Sequence, residues 1–146
     1  MYITIRKAEP DDADQLADIF LESRRTGFYW LDPERFQLAD FDRQTAGESI
    51  WVAETDEGEL AGFISVEVSD AFIHHLFVAP AYQGMGVGGR LLASLEDWLE
   101  PPYRLKCLTK NKKALAFYKK NNWRLAGKGQ SRNGAYAVLT FRPATN

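Results

Sequence analysis

The run Leu76-Phe77-Val78-Ala79-Pro80-Ala81-Tyr82-Gln83-Gly84-Met85-Gly86-Val87-Gly88-Gly89-Arg90-Leu91-Leu92 constrains this chain more than any other stretch. A β-rich segment stops at Pro80 and passes through four glycines. It re-emerges with Leu91, Leu92, Leu95, Trp98 and Leu99 at helical spacing. Glycines at 84, 86, 88 and 89 permit positive φ and close approach. Successive N–H groups and a helix N-terminus can then converge on a phosphate. No Gly-Lys-Ser/Thr follows, which excludes a Walker A loop, and the Rossmann spacing with a later ribose-binding acid is missing. The bland alternative is a glycine-rich start to a helix that binds nothing.

The rest of the chain alternates strands and helices around this run. Tyr2 to Arg6 reads as a first strand, and Leu16, Ile19 and Phe20 recur at helical spacing in a helix expected from about 11 to 25. Pro33-Glu34 marks a second helix whose weaker stripe, Phe36, Leu38 and Phe41, fades at Gly47. Ile50 to Ala53 and Leu60 to Val68 flank the turn formers Asp56-Glu57-Gly58-Glu59 as a hairpin, and Phe72 to Val78 is the next strand. Pro101-Pro102 ends the helix after the glycines, and Arg104 to Thr109 is a strand. Asn111 suits the N-cap of a short helix, and Asn121-Asn122 its left-handed exit. Trp123 to Gly127 and Ala135 to Arg142 close the chain as strands joined by the polar loop 128–134. Such alternation predicts an α/β (α+β) sheet covered on both faces, in one domain over residues 1–146.

Composition narrows the class. At 45% hydrophobic and 26% charged residues, a chain of 146 can bury a core without disulfide or metal staples, and disordered or collagen-like classes are excluded. With no apolar run of about 18 residues and no signal-peptide core near Met1, a soluble cytoplasmic protein is expected, with no membrane partner. One cysteine, Cys107, and two histidines make a poor metal set, so no metal is expected. Cys107 lies mid-strand with no motif to pair it with a base, and reads as a small core residue. The net charge of −2 hides an asymmetry: residues 1–67 carry 16 acidic and 6 basic side chains, residues 68–146 carry 4 and 12. The basic run from Lys106 to Arg124 would draw a polyanion. A pI of about 5.7 and the lack of a nucleic-acid motif argue against DNA or RNA.

Gln83-Gly84-Met85-Gly86-Val87-Gly88 resembles the Q/R-x-x-G-x-G/A signature of the GNAT superfamily of acyl-CoA-dependent N-acetyltransferases. Val78-Ala79-Pro80 resembles the family's preceding Val-x-Pro, and Asn111-Lys112-Lys113-Ala114-Leu115-Ala116-Phe117-Tyr118 its later N-x-x-A-x-x-F-Y motif. The element order β-α-α-β-β-β-α-β-α-β-β is also similar to the family's, a mixed central sheet of about seven strands flanked by four helices. Asn122-Trp123 stands where the family usually has Gly-Phe.

The resemblance implies specific roles. Backbone groups of Leu76, Phe77 and Val78 would pair with the pantetheine arm of acetyl-CoA beside a splay in the sheet. Amides across Gln83, Gly84, Met85, Gly86, Val87 and Gly88 would hold the pyrophosphate, and Asn111 would touch pantetheine. Tyr118 would be the general acid for the departing thiolate, and the Val78 N–H would polarise the thioester carbonyl. By charge alone, Lys112, Lys113, Lys119 or Lys120 could steer the nucleotide end.

An amine attacks a thioester only when neutral, so the chain needs a route for its proton. His74, with a reference pKa near 6.5, is the candidate base. His75 is its neighbour on the opposite strand face, so at most one of the two is expected to look into the cleft. Glu67 and Asp70 acting through water are the alternative. Phe28, Tyr29 and Trp30, with Arg24 and Arg25, are candidates for the acceptor wall, and the acidic first half suggests a cationic amine or a basic peptide. The expected activity is direct acetyl transfer from acetyl-CoA to a primary amine of a small molecule or peptide, by a monomer or homodimer. A non-catalytic acyl-CoA sensor on the same fold is the alternative.

Overall fold

A computed structural model describes residues 2–143, so Met1 and residues 144–146 of the expected single domain lie outside the described residues. The elements are β1 (Ile3–Lys7), α1 (Ala13–Gly27), α2 (Asp40–Gln44), β2 (Ser49–Thr55), β3 (Leu60–Glu67) and β4 (Phe72–Val78). They continue with α3 (Val87–Ser94), β5 (Tyr103–Leu108), α4 (Lys112–Lys120), β6 (Arg124–Ser131) and β7 (Gly134–Phe141). Their order matches the expected one, and the strands form one seven-stranded mixed sheet, β1-β2-β3-β4-β5-β7-β6. β4 and β5 pair in parallel, while the other neighbours are antiparallel.

Apolar spacing decides which face each helix covers. Leu16, Ile19 and Phe20 of α1 meet Phe41 of α2 and Val52 and Phe63 of the sheet on one face. On the other, Val87, Leu91 and Leu95 pack with Ile64, Val66, Leu105 and Leu139. β3 is buried on both sides through Val66, which explains why its sequence is nearly continuously apolar rather than alternating, with the buried Ser65 donating its hydroxyl to Glu48.

Two expected elements differ. The second helix is not continuous: a single 3-10 turn, Pro33–Arg35, is followed by an extended Phe36 (φ −97, ψ 130) and only then by α2. The Arg25 guanidinium donates to the carbonyls of Pro33 at 3.1 Å and Phe36 at 2.8 Å, taking acceptors a helix would need for its own amides. Leu38, counted in the expected stripe, is 51% exposed. The expected loop 128–134 is mostly strand, since β6 runs to Ser131 and only Arg132 and Asn133 turn. Tyr136 lies directly over Gly129 across the ladder, a cross-strand cover that suits glycine at a strand position.

The β3–β4 register breaks next to the histidines. Ser65 pairs with His75 but Val66 pairs with Ile73, so His74 is an extra residue on β4. A bulge of this kind bends its strand. The β4–β5 pairing holds only at Phe72↔Arg104 and Ile73↔Leu105, ending where the bulge begins. Beyond that point the two strands separate.

Candidate active site

The separation leaves backbone groups of β4 facing a gap. Ala79 N–H donates to Ala61 O at 2.8 Å, which makes that pair a hydrogen-bonded one. Alternation along an antiparallel ladder then turns the N–H and C=O of Val78 and Leu76 away from β3, toward the gap. The Val78 carbonyl accepts from Ser23 Oγ at 3.3 Å and Gln83 Nε2 at 3.2 Å. Phe77 differs: its backbone groups face β3, and its ring lines the cavity described below.

The loop after β4 is shaped by glycine where no other residue fits well. Gly84 and Gly86 have φ of +79° and +83°, the left-handed region that a side chain disfavours. Gly86 is the N-cap of α3, and Arg90 N–H, bonded to Gly86 O at 3.1 Å, is the first amide the helix satisfies. The amides before it point outward without an intrahelical partner. No acidic side chain lies in the first turn of α3. A Cβ on Gly88 would sit 3.1 Å from the Phe117 ring, so glycine there lets α3 and α4 approach closely. Lys113 Nζ lies 3.4 Å from Gln83 Oε1, placing one cation of the basic run beside this loop. Left-handed turns, open amides, a helix dipole and a lysine are groups that could hold a pyrophosphate, and the gap edge of β4 beside them could take an amide-bearing arm. The residues fit coenzyme A.

α4 supplies the next wall. Asn111 caps it by accepting from Ala114 N–H at 3.2 Å, as expected, and Asn122 leaves it in the left-handed region at φ +69°. Tyr118 is buried, with edge contacts to Phe117 at 5.2 Å and Trp123 at 5.6 Å. Burial, with Cys107 nearby, pushes its phenol above the ordinary value, so it holds its proton throughout the physiological range. Burial also pushes the Cys107 thiol up to about 11, which leaves it protonated at neutral pH.

A cavity of about 580 Å³ runs through the gap. Tyr118, Asn111 and Ala114 line it from the α4 side, and Phe28, Phe36 and Arg35 from the α1–α2 side. Trp30 stands behind Phe28 at 5.4 Å, and Tyr29, 74% exposed, rests on Trp30. Of the three aromatics named for the acceptor wall, Phe28 alone lines the cavity.

Both histidines line it, against the expectation that only one would, because the bulge at His74 interrupts the strict alternation of faces. His74 Nε2 lies 2.9 Å from Glu67 Oε1, and its ring rests on Phe72 at 4.7 Å. His75 packs edge-on to Phe20 at 4.9 Å and donates from Nε2 to Gln44 O at 3.2 Å. Burial pushes His75 down to about 4, so it is neutral at pH 7.

Arg24 is buried and structural. It bridges Asp40 at 3.2 Å, donates to Phe20 O at 2.9 Å and lies over the Phe20 ring. Burial opposes the charge on Asp40, but the Gln37 amide, Arg43 and Arg24 together hold its carboxyl below the usual range. Arg35, Arg43 and Arg132 also line the cavity, and sequence reasoning passed over all three. Arg35 and Arg43 left a trace only as two of the 6 cations of the first 67 residues, three of which, with Arg24, gather here; Arg132 left none. The acids of that half lie elsewhere, Asp40 excepted, so the charge of the half is not the charge of the cavity.

The family model of the acetyltransferase (GNAT) family matches residues 13–123. The chain belongs to the GNAT family. It is an acetyl-CoA-dependent N-acetyltransferase. It is 28% identical over 132 residues to the peptidyl-lysine N-acetyltransferase YjaB of Escherichia coli, covering 89% of this chain and 88% of that one. It is 30% identical over 137 residues to the uncharacterized N-acetyltransferase YhfO of Bacillus subtilis, covering 83% and 89%. The fold of this GNAT chain superposes on the solution structure of apo-form YjaB with a TM-score of 0.80 at 22% identity, over 99% of this chain and 100% of that one. It matches PaiA N-acetyltransferase from Thermoplasma acidophilum in complex with coenzyme A at a TM-score of 0.76 and 19% identity, covering 94% and 98%. Among the described residues, no helix is long and apolar enough to cross a membrane, and no group of three His, Cys, Asp or Glu side chains could hold a metal ion.

Proposed function

We propose that the cavity takes the two substrates at its two walls, the thioester end of acetyl-CoA at the β4–α4 side and a primary amine of a small molecule or peptide at the α1–α2 side. The observation that carries this reading is that one cavity spans the gap with Tyr118 in its wall. A lysine side chain, the acceptor named for the YjaB relative, is an acceptor of this class. Amides of the 83–88 loop would hold the pyrophosphate with Lys113 beside them, and Leu76, Val78 and Asn111 the pantetheine arm.

Acetyl-CoA supplies an activated carbonyl, and the chain supplies alignment and proton transfer. The amine nitrogen bonds to the carbonyl carbon while the carbon–sulfur bond breaks. Val78 N–H donates to the carbonyl oxygen as it gains charge, and Tyr118 donates its proton to the departing sulfur. Glu67 holds the Nε2 proton of His74, leaving Nδ1 to take the proton that the amine must lose.

Titration with acetyl-CoA, followed by an amine and peptide panel monitored by thiol release, tests this. Saturable binding with acceptor-dependent release is expected. Binding with no release stimulated by any amine or peptide would overturn this assignment of the acceptor and of the cavity walls.

A further inference from the structure

The α1–α2 side of the cavity carries a charge opposite to that of the chain half that supplies it. Of the 16 carboxylates in residues 1–67, only Asp40 lines the cavity, whereas three of the 6 cations there do: Arg24, Arg35 and Arg43. Lys106 and Arg132 join them from the other half. Asp40 is already taken by Arg24 at 3.2 Å and Arg43 at 2.6 Å.

Arg35, Lys106 and Arg132 have no carboxylate partner among the described residues. Arg35 donates instead to the neutral Asn133 side chain at 2.7 Å, which ties the β6–β7 turn to the α1–α2 connection across the cavity mouth. That contact brings Arg132 and Arg35 to one opening. None of these groups belongs to the 83–88 loop, which does not line the cavity, so they do not serve the pyrophosphate there. Gathered like charges repel until an anion enters, and guanidinium groups match a carboxylate in geometry as well as charge. A cationic amine or a basic peptide would meet repulsion at the same opening.

We infer that the acceptor is an amine that also carries a carboxylate, held by Arg35, Arg132 and Lys106 while its amino group points into the gap. This rests on the transferase reading and names its substrate class. The carboxylate has two sources, a free amino acid or an Asp or Glu beside a peptide lysine, and both present the same group.

The test compares thiol release from matched acceptors. One arm sets ω-amino carboxylates, glycine to 6-aminohexanoate, against their carboxamides. The other sets lysine peptides flanked by Asp against the same peptides flanked by Asn or Arg. The better carboxylate-bearing arm is expected to exceed its neutral partner in kcat/KM by about tenfold or more. Arg35→Gln and Arg132→Gln, at exposed positions, are expected to bring that ratio toward one. Equal or better use of the amides and of the Arg-flanked peptides by the unaltered enzyme would overturn the inference.

Binding of the corresponding N-acetyl carboxylates, read by calorimetry, needs no turnover. Binding that Arg132→Gln abolishes would support the carboxylate site even if no acceptor of the panel released thiol, in which case the proposed placement of the reacting amine alone would fall. No binding and no carboxylate preference would overturn the inference itself.

Discussion

The two sides of the gap are built by different means. The side proposed for the donor is made of backbone: left-handed glycines at 84 and 86, the open amides of α3 and the gap-facing groups of Leu76 and Val78. The side proposed for the acceptor is made of side chains brought from an irregular segment, a strand bulge and a hairpin turn. Arg35 and Asn133 meet there across 98 positions of sequence. Backbone chemistry needs glycine at fixed intervals and so leaves a pattern in the sequence. Convergence of long side chains leaves none.

Gly86→Glu should break the donor side outright, because it forces a side chain into a left-handed cap and sets a carboxylate where a phosphate is to bind. Acetyl-CoA affinity should fall by roughly a thousandfold by calorimetry, and near-normal affinity would mean that the loop is not the cradle. Tyr118→Phe should leave that affinity alone and lower kcat by about a hundredfold. Equal turnover would remove the phenol from the chemistry and reduce α4 to a packing element.

His75 sharpens the acceptor side through stability. The unfolded imidazole titrates near 6.5 and the folded one at about 4, so protons favour the unfolded chain. Stability should therefore be lost as pH falls through that window, by roughly 2 kcal/mol at pH 4.5. Denaturant unfolding at pH 7 and 4.5 checks this, and His75→Phe should lose that part of the acid sensitivity. If the variant keeps all of it, the paired carboxylates Asp12 and Asp40 carry the effect instead. The smallest effect is expected from Asn133→Ala, which removes one exposed hydrogen bond to Arg35. Stability should change by less than about 0.5 kcal/mol, while the acceptor KM rises a few-fold and acetyl-CoA affinity holds.

The same contrast explains what could be read from residues alone. β4 falls on the expected Phe72–Val78, α1 extends to Gly27, and the Asn111 cap and the left-handed Asn122 both stand where turn chemistry put them. These are local preferences, decided within a few neighbours. The failures are tertiary. Arg25 draws off the carbonyls of Pro33 and Phe36 and splits the second helix, and cross-strand cover by Tyr136 lets a glycine-containing polar stretch remain a strand. The bulge at His74 depends on how β3 and β4 come into register, which no run of β4 residues encodes. Phe28 was found because aromatics are conspicuous; Arg35, Arg43 and Arg132 were not, because an exposed arginine looks the same at a cavity mouth as on any solvated surface.

The short β4–β5 junction has a mechanical consequence. Four strands stand on one side of it and three on the other, with two residue pairs holding the ladder between them. Any arm with amide groups that enters the gap supplies rungs the protein lacks and joins the halves as an added strand would. Hydrogen exchange at Leu76 and Val78 should then slow on loading, and stiffness across the whole sheet becomes a property the enzyme shares with its donor and gives up each time the spent thiol departs.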